Sequence, residues 1–129
     1  ITSFTELSKQ AREIERSNRL TAIEKKEKSF IQKLIDNEDP IVASTDYTRA
    51  YSQLISSYLP NTFVALGTDG FGRSDTRENL RKFFEIDKLQ IVIAALDALC
   101  DQGKISKSVL KSALKEYNIN GNSEDPWNK

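Results

Sequence analysis

The chain contains no histidine, which removes the commonest general base and the commonest metal ligand together. It has one cysteine, Cys100, so it cannot form an internal disulfide, which fits a reducing compartment. With neither histidine nor a second cysteine, a zinc site is close to excluded. A lone thiol in an apolar helical stretch, with no imidazole to activate it, reads as a core residue. Net charge is missing too. Nineteen Lys and Arg cancel nineteen Asp and Glu, leaving no global field to favour nucleic acid or an anionic membrane as partner. No apolar run approaches the roughly 18 residues a membrane helix requires, and there is no signal-peptide pattern. What remains is 129 residues, 38% hydrophobic and 29% charged, enough for one core and one domain over 1–129. An enzyme built from this composition alone would rely on carboxylates, Lys, Ser or Tyr, and their spacing shows no catalytic pair.

The most informative stretch begins with a short β-type run, Phe63–Leu66, and breaks at Gly67. Gly67, Gly70 and Gly72 fall close together, which predicts at least one positive φ. A helix follows over Thr76–Phe84, with Asp75 and Glu78 spaced as a capping box. Strand, glycine-rich turn and helix N-terminus form the geometry by which an α/β fold presents a loop at the carboxyl edge of its sheet. Such a loop can hold an anion, but the details oppose it. Gly70-Phe71-Gly72 begins a dinucleotide fingerprint whose third glycine is replaced by Asp75. A phosphate loop needs Gly-Lys-Ser/Thr where Arg73-Ser74 stands. Asp69 and Asp75 would repel phosphate. The preferred reading is a tight structural loop in which Asp69, Gly70, Phe71, Gly72, Arg73, Ser74 and Asp75 bond one another and a neighbouring domain. Asp69 with Arg73 is its candidate ion pair.

Taken in order, Ser3 and Glu6 form a capping box opening a helix to about Asn18, with a narrow stripe of Leu7, Ala11 and Ile14. Thr21 and Glu24 form a second box, opening a helix through Phe30, Ile31, Leu34 and Ile35. On it the mixed charges of Glu24–Lys28 make a solvated face. Asn37–Pro40 ends it. Ile41–Thr45 reads as a short strand leading to Asp46 and Tyr47. A helical pattern follows in Tyr47, Tyr51, Leu54, Ile55 and Tyr58, with Pro60-Asn61 turning into the next strand. This is a β-α-β unit with parallel pairing. Asp87 caps a helix bearing Leu89, Val92, Leu96, Leu99 and Cys100, widened by Ile91, Ile93 and Ala95 and so expected to be largely buried. Gly103 is placed for a left-handed C-terminal residue. Ser106 caps a last helix with Val109, Leu110, Ala113, Leu114 and Tyr117 inward. The polar tail, 119–129, lacks periodicity, and Trp127 is the one residue in it suited to being pinned.

The segment Leu66-Gly-Thr-Asp-Gly-Phe-Gly-Arg-Ser-Asp-Thr-Arg-Glu-Asn-Leu-Arg-Lys-Phe-Phe-Glu85 closely resembles the C-terminal domain of the homodimeric pyruvate dehydrogenases, the thiamine-diphosphate-dependent decarboxylating family. Thr2–Leu7, Val42–Tyr47, Ile93–Leu96 and Gly103-Lys-Ile105 extend the resemblance over nearly the whole chain. Residues 9–33 match loosely and nothing transfers to the tail. Phe71-Gly-Arg-Ser74 with Leu80 and Phe84 is more distantly similar to the third domain of the transketolase superfamily. The resemblance implies a small, mainly parallel α/β sheet flanked by helices, with the parent domain's first strand and helix lying before Ile1. An open edge left by them would favour self-association or a displaced N-terminal helix. It also implies an oxidative decarboxylase of pyruvate that acetylates lipoyl groups in the cytoplasm, with thiamine diphosphate and magnesium held by upstream domains and none here. Its implied partners are those domains, a second subunit and the dihydrolipoyl acyltransferase core. No catalytic residue carries over. The domain's expected role is packing through Asp46, Tyr47 and the loop 69–75, the alternative being a docking module for the acyltransferase through Trp127 or Lys25–Lys28.

Overall fold

In the computed structural model, which describes residues 1–22 and 24–128 without the side chain of Trp127, helix α1 runs Phe4–Thr21. The expectation that Trp127 is pinned therefore lies outside the described residues. Ser3 starts α1, its hydroxyl accepting the Glu6 amide at 3.2 Å, which is the Ser3 half of the expected capping box. The helix overruns Asn18 and ends at Thr21, with Ala22 left-handed at φ 47°. Thr21 therefore opens no second helix; its hydroxyl donates back to the Ser17 carbonyl at 2.7 Å. The run Glu24–Lys28 is exposed and irregular rather than helical. Asn18 anchors it, donating to the Glu27 carbonyl and accepting the Glu27 amide, both at 2.9 Å. Helix α2 is only Phe30–Leu34. Its start is set by Ser29, whose amide and hydroxyl donate to Gln32 Oε1 at 2.9 and 3.0 Å, and by Gln10, which accepts the Phe30 amide at 3.0 Å.

Strand β1, Ile41–Ser44, pairs in parallel with β2, Phe63–Leu66, in the register Ile41↔Phe63 to Ser44↔Leu66. The β-α-β expectation holds, though the connection is a short helix α3, Arg49–Gln53, and a 3₁₀ turn, Ser56–Tyr58, rather than one continuous helix. Asn61 ties the entry to β2 by donating to the Asn37 and Asp39 carbonyls, both at 2.8 Å. Ile41 and Phe63 pack into the buried cluster of Ile31, Ile55 and Leu59, together with Phe4 and Leu7 of α1. Strand alternation turns Ser44 to the other face, where its hydroxyl donates to the Ile86 carbonyl at 3.4 Å.

Beyond β2 come α4, Arg77–Phe83, α5, Lys88–Asp101, and α6, Lys107–Glu116. Asp87 caps α5 as read from sequence, accepting the Leu89 and Gln90 amides at 2.9 and 3.0 Å. Gly103 is left-handed at φ 70°, with Lys104 donating to the Leu99 carbonyl at 3.0 Å, the double-bonded helix end expected there. The same closure follows α4 and α6 with Glu85 and Asn118 in the glycine position. Cys100 is buried, its thiol 3.6 Å from the Ser106 carbonyl.

One expectation about α5 fails. Only its Ala98 and Cys100 are buried, and Val92 is 39% exposed. Two strands spaced about 4.8 Å apart cannot cover a helix roughly 21 Å long. On α6, Ala113 is inward but Val109 is exposed. The result is an α/β arrangement, a two-strand parallel sheet packed against helices.

Candidate functional site

Because β1 and β2 are parallel, both release their chains at the same edge of the sheet. The register pairs each residue of β1 with the one 22 positions later, and the offset persists into the loops. The Thr45 amide donates to the Leu66 carbonyl at 3.0 Å, the Thr68 amide to the Tyr47 carbonyl at 2.9 Å, and the Thr68 hydroxyl to the Asp46 carbonyl at 3.2 Å. Gly67 sits where the two loops touch. A Cβ there would lie 2.6 Å from both the Arg49 amide nitrogen and the Tyr47 carbonyl oxygen. Its glycine is required by this close approach, not by φ.

Asp69 is the centre of the loop. Its Oδ1 accepts the Thr48 hydroxyl at 2.9 Å and the Arg49 amide at 3.1 Å, and its Oδ2 pairs with Arg49 Nε. Partial burial raises the carboxyl pKa, but the Arg49 and Thr48 hydrogen bonds and the Arg49 charge outweigh it, so Asp69 stays below the usual carboxylate range. The expected Asp69–Arg73 pair is thus replaced by Asp69–Arg49. The parallel register brings Arg49 beside Asp69, while Arg73 lies past the turn with its guanidinium 4.2 Å from the centre of the Phe83 ring. Gly70 has φ 92°, the positive angle expected in the loop. The turn it makes leaves Phe71 90% exposed.

The loop ends at α4, and the start differs from the sequence expectation. Thr76, not Asp75, is the N-cap, its hydroxyl accepting the Asn79 amide at 3.3 Å. Asp75 lies one residue earlier, accepting the Asn79 side-chain amide at 2.9 Å and the Thr76 amide at 2.6 Å. Those two bonds hold its pKa down. Glu78 does not reach back as a capping box; it takes Lys82 at 3.0 Å, four residues on, and that bond and charge lower its pKa. Gly72 and Ser74 are exposed.

Asp46 receives Arg81 from α4 at 3.2 Å. Tyr47 is 64% exposed and stands edge-on to Tyr51, with ring centres 5.9 Å apart. A groove of about 930 Å³ runs between the end of β1, α4 and the first turn of α5, its charged lining being Asp46, Arg77, Glu78, Arg81, Lys82, Asp87 and Lys88. Its charges are mixed and largely paired. The structure therefore brings Asp46, Tyr47 and Asp69 together at the sheet edge, and sets Phe71 and Arg73–Asp75 on the outer arm of the loop. Thr48, Arg49 and Arg81 were missed. Sliding the two strands into register would have placed residues 46–49 against 68–71 and revealed Arg49.

Residues 1–87 match the model of the transketolase-like TK C-terminal domain. The pyruvate dehydrogenase E1 component of Cupriavidus necator is 45% identical over 125 residues, covering 96% of this chain and 14% of the relative. That of Escherichia coli is 42% identical over 127 residues, covering 98% and 14%, and that of Pseudomonas aeruginosa 40% over 128, again 98% and 14%. The chain thus spans about 14% of the length of the curated relatives it matches. It belongs to the transketolase-like C-terminal domain family, in the form found in the C-terminal region of homodimeric-type pyruvate dehydrogenase E1.

Proposed function

We propose that this chain is the C-terminal domain of a thiamine-diphosphate-dependent enzyme that oxidatively decarboxylates pyruvate and acetylates lipoyl groups, and that the domain packs subunits and domains without carrying a catalytic group. The observation behind the packing role is the loop itself. Asp46, Asp69, Arg73 and Asp75 are each engaged within the chain, while Phe71, between Asp69 and Arg73, stands 90% exposed. A bare aromatic side chain is a common anchor of a protein contact. The carboxylates with resolved shifts, Asp69, Asp75 and Glu78, are all held ionised, the opposite of a general acid poised near neutrality.

The cofactor belongs elsewhere in this reading. Among the described residues, no group of three or more His, Cys, Asp or Glu gathers as a metal site, and the loop carboxylates are already bonded to their own chain. Thiamine diphosphate and magnesium would be held by upstream domains of a dimer. The partners are those domains, the second subunit and the dihydrolipoyl acyltransferase core. Calorimetry of this chain with thiamine diphosphate and magnesium tests the division of labour, alongside carbon dioxide release from pyruvate. Neither binding nor release above background is expected. Micromolar cofactor binding would overturn the assignment.

A further inference from the structure

Helix α6 carries Lys107, Lys111 and Lys115 at intervals of four, which places them on one arc about 80° wide. All three are exposed. Among the described residues none has an ion-pair partner. Lys104, in the turn before the helix, is paired with Asp39 at 2.8 Å. Helix α1 is also rich in cations, but Glu13 and Glu15 are interleaved among its Arg12, Arg16 and Arg19. In α6 the single acid, Glu116, lies roughly 100° round the helix from Lys115.

This arrangement is unfavourable in the free chain. Like charges four residues apart repel, and Lys107 stands at the first helical residue, where the helix dipole disfavours a cation. Only Lys115, in the last turn, is well placed. A row that breaks local rules with no compensating contact points to a use outside the chain. Helix α6 packs chiefly on α5 and leaves this arc outward. It also lies past residue 87, where the family match ends but the match to the E1 components continues.

We propose that the lysine arc of α6 docks an acidic protein face whose carboxylates repeat about every 6 Å, the rise of four helical residues. Charge complementarity names the partner's chemistry, and two observations favour protein over other polyanions. The chain has net charge zero, so it lacks the broad positive field by which nucleic acid is gathered. The one large apolar side chain of α6 that is exposed, Val109, lies roughly 160° round the helix from Lys111, on the far side from the lysines, which disfavours seating the arc on a membrane surface. The inference stands independently of the proposed enzymatic role.

The test is an amide chemical-shift titration of the isotope-labelled chain with poly-L-glutamate, a short DNA duplex, and phosphatidylcholine vesicles containing phosphatidylserine. The expected result is salt-sensitive shifts confined to 104–117 with polyglutamate, and weaker effects with the other two. Lys111→Glu should weaken polyglutamate binding about tenfold while raising the melting temperature by about 3 °C, because it turns two repulsions into two attractions. A residue with a merely structural role would lose stability. Lys107→Gln with Lys115→Gln checks the binding loss without a charge reversal. Shifts centred on Arg12–Arg19, undiminished binding by these variants, or tighter binding of DNA or vesicles through the same residues would each overturn the proposal.

Discussion

Replacing Asp69 tests the architecture of the loop, because this one carboxylate joins the two chain segments that leave the sheet. Asp69→Ala removes the acceptor for the Thr48 hydroxyl, the Arg49 amide and the Arg49 guanidinium. Hydrogen bonds to a charged group contribute about 1.5–3 kcal/mol each when buried. Here the Asp69 side chain is 23% exposed and that of Arg49 39%, so water screens much of this. The three together should supply about 2–3 kcal/mol. For a chain of this length that lowers the melting temperature by roughly 8–12 °C. Asp69→Asn keeps an acceptor for the amide and hydroxyl but turns an amide group toward Arg49, and should cost about half as much. The pH dependence has a definite sign. The folded pKa lies below the ordinary 3.8, so the contribution is complete above that value and is lost as pH falls through the lower folded value. Wild type and Asp69→Asn should therefore differ fully at neutral pH and converge in acid. Thermal melts followed by circular dichroism measure both effects. A difference between wild type and Asp69→Ala under about 2 °C at neutral pH, or a gap to Asp69→Asn that persists into strong acid, would refute the reasoning.

Three further outcomes follow from the same contacts. Gly67→Ala should destabilise by about 2–4 kcal/mol or prevent folding, since the new Cβ would meet two backbone atoms at 2.6 Å; its urea midpoint measures this. Gly70→Val should cost about 1–3 kcal/mol for its positive φ, whereas Gly72→Ala, with nothing within 4 Å of the added Cβ, should be neutral in the same melts. The half-covered α5 and two-strand sheet should make the chain self-associate in sedimentation experiments, and Val92→Lys should shift it toward monomer.

What was legible in the sequence were features whose causes are local. The β-branched run from Ile41, the Asp87 cap, the Gly103 turn and the strand before Gly67 all depend on residues within a few positions. The misreadings came where a distant partner decided. Thr21 with Glu24 has the spacing of a capping box, yet Asn18 and Gln10 hold the following segment in another path. Asp69 and Arg73 are near in sequence, but the parallel register supplies Arg49 from 20 residues away. Helix α5 reads as buried because its composition is apolar, and composition does not reveal how narrow the adjoining sheet is.

If the chain serves, as proposed, as a packing domain in a pyruvate-decarboxylating enzyme with Phe71 as its anchor, it should do so when placed in a relative. A chimera tests it most directly: the matching C-terminal stretch of the Escherichia coli relative is exchanged for this chain. Sedimentation and pyruvate-dependent carbon dioxide release are then measured with and without Phe71→Ala. The chimera should assemble and be active, and its Phe71→Ala form should lose assembly and activity together, while the variant chain alone melts as wild type does. An inactive chimera that nevertheless assembles, or Phe71→Ala that leaves both assembly and activity intact, would contradict it.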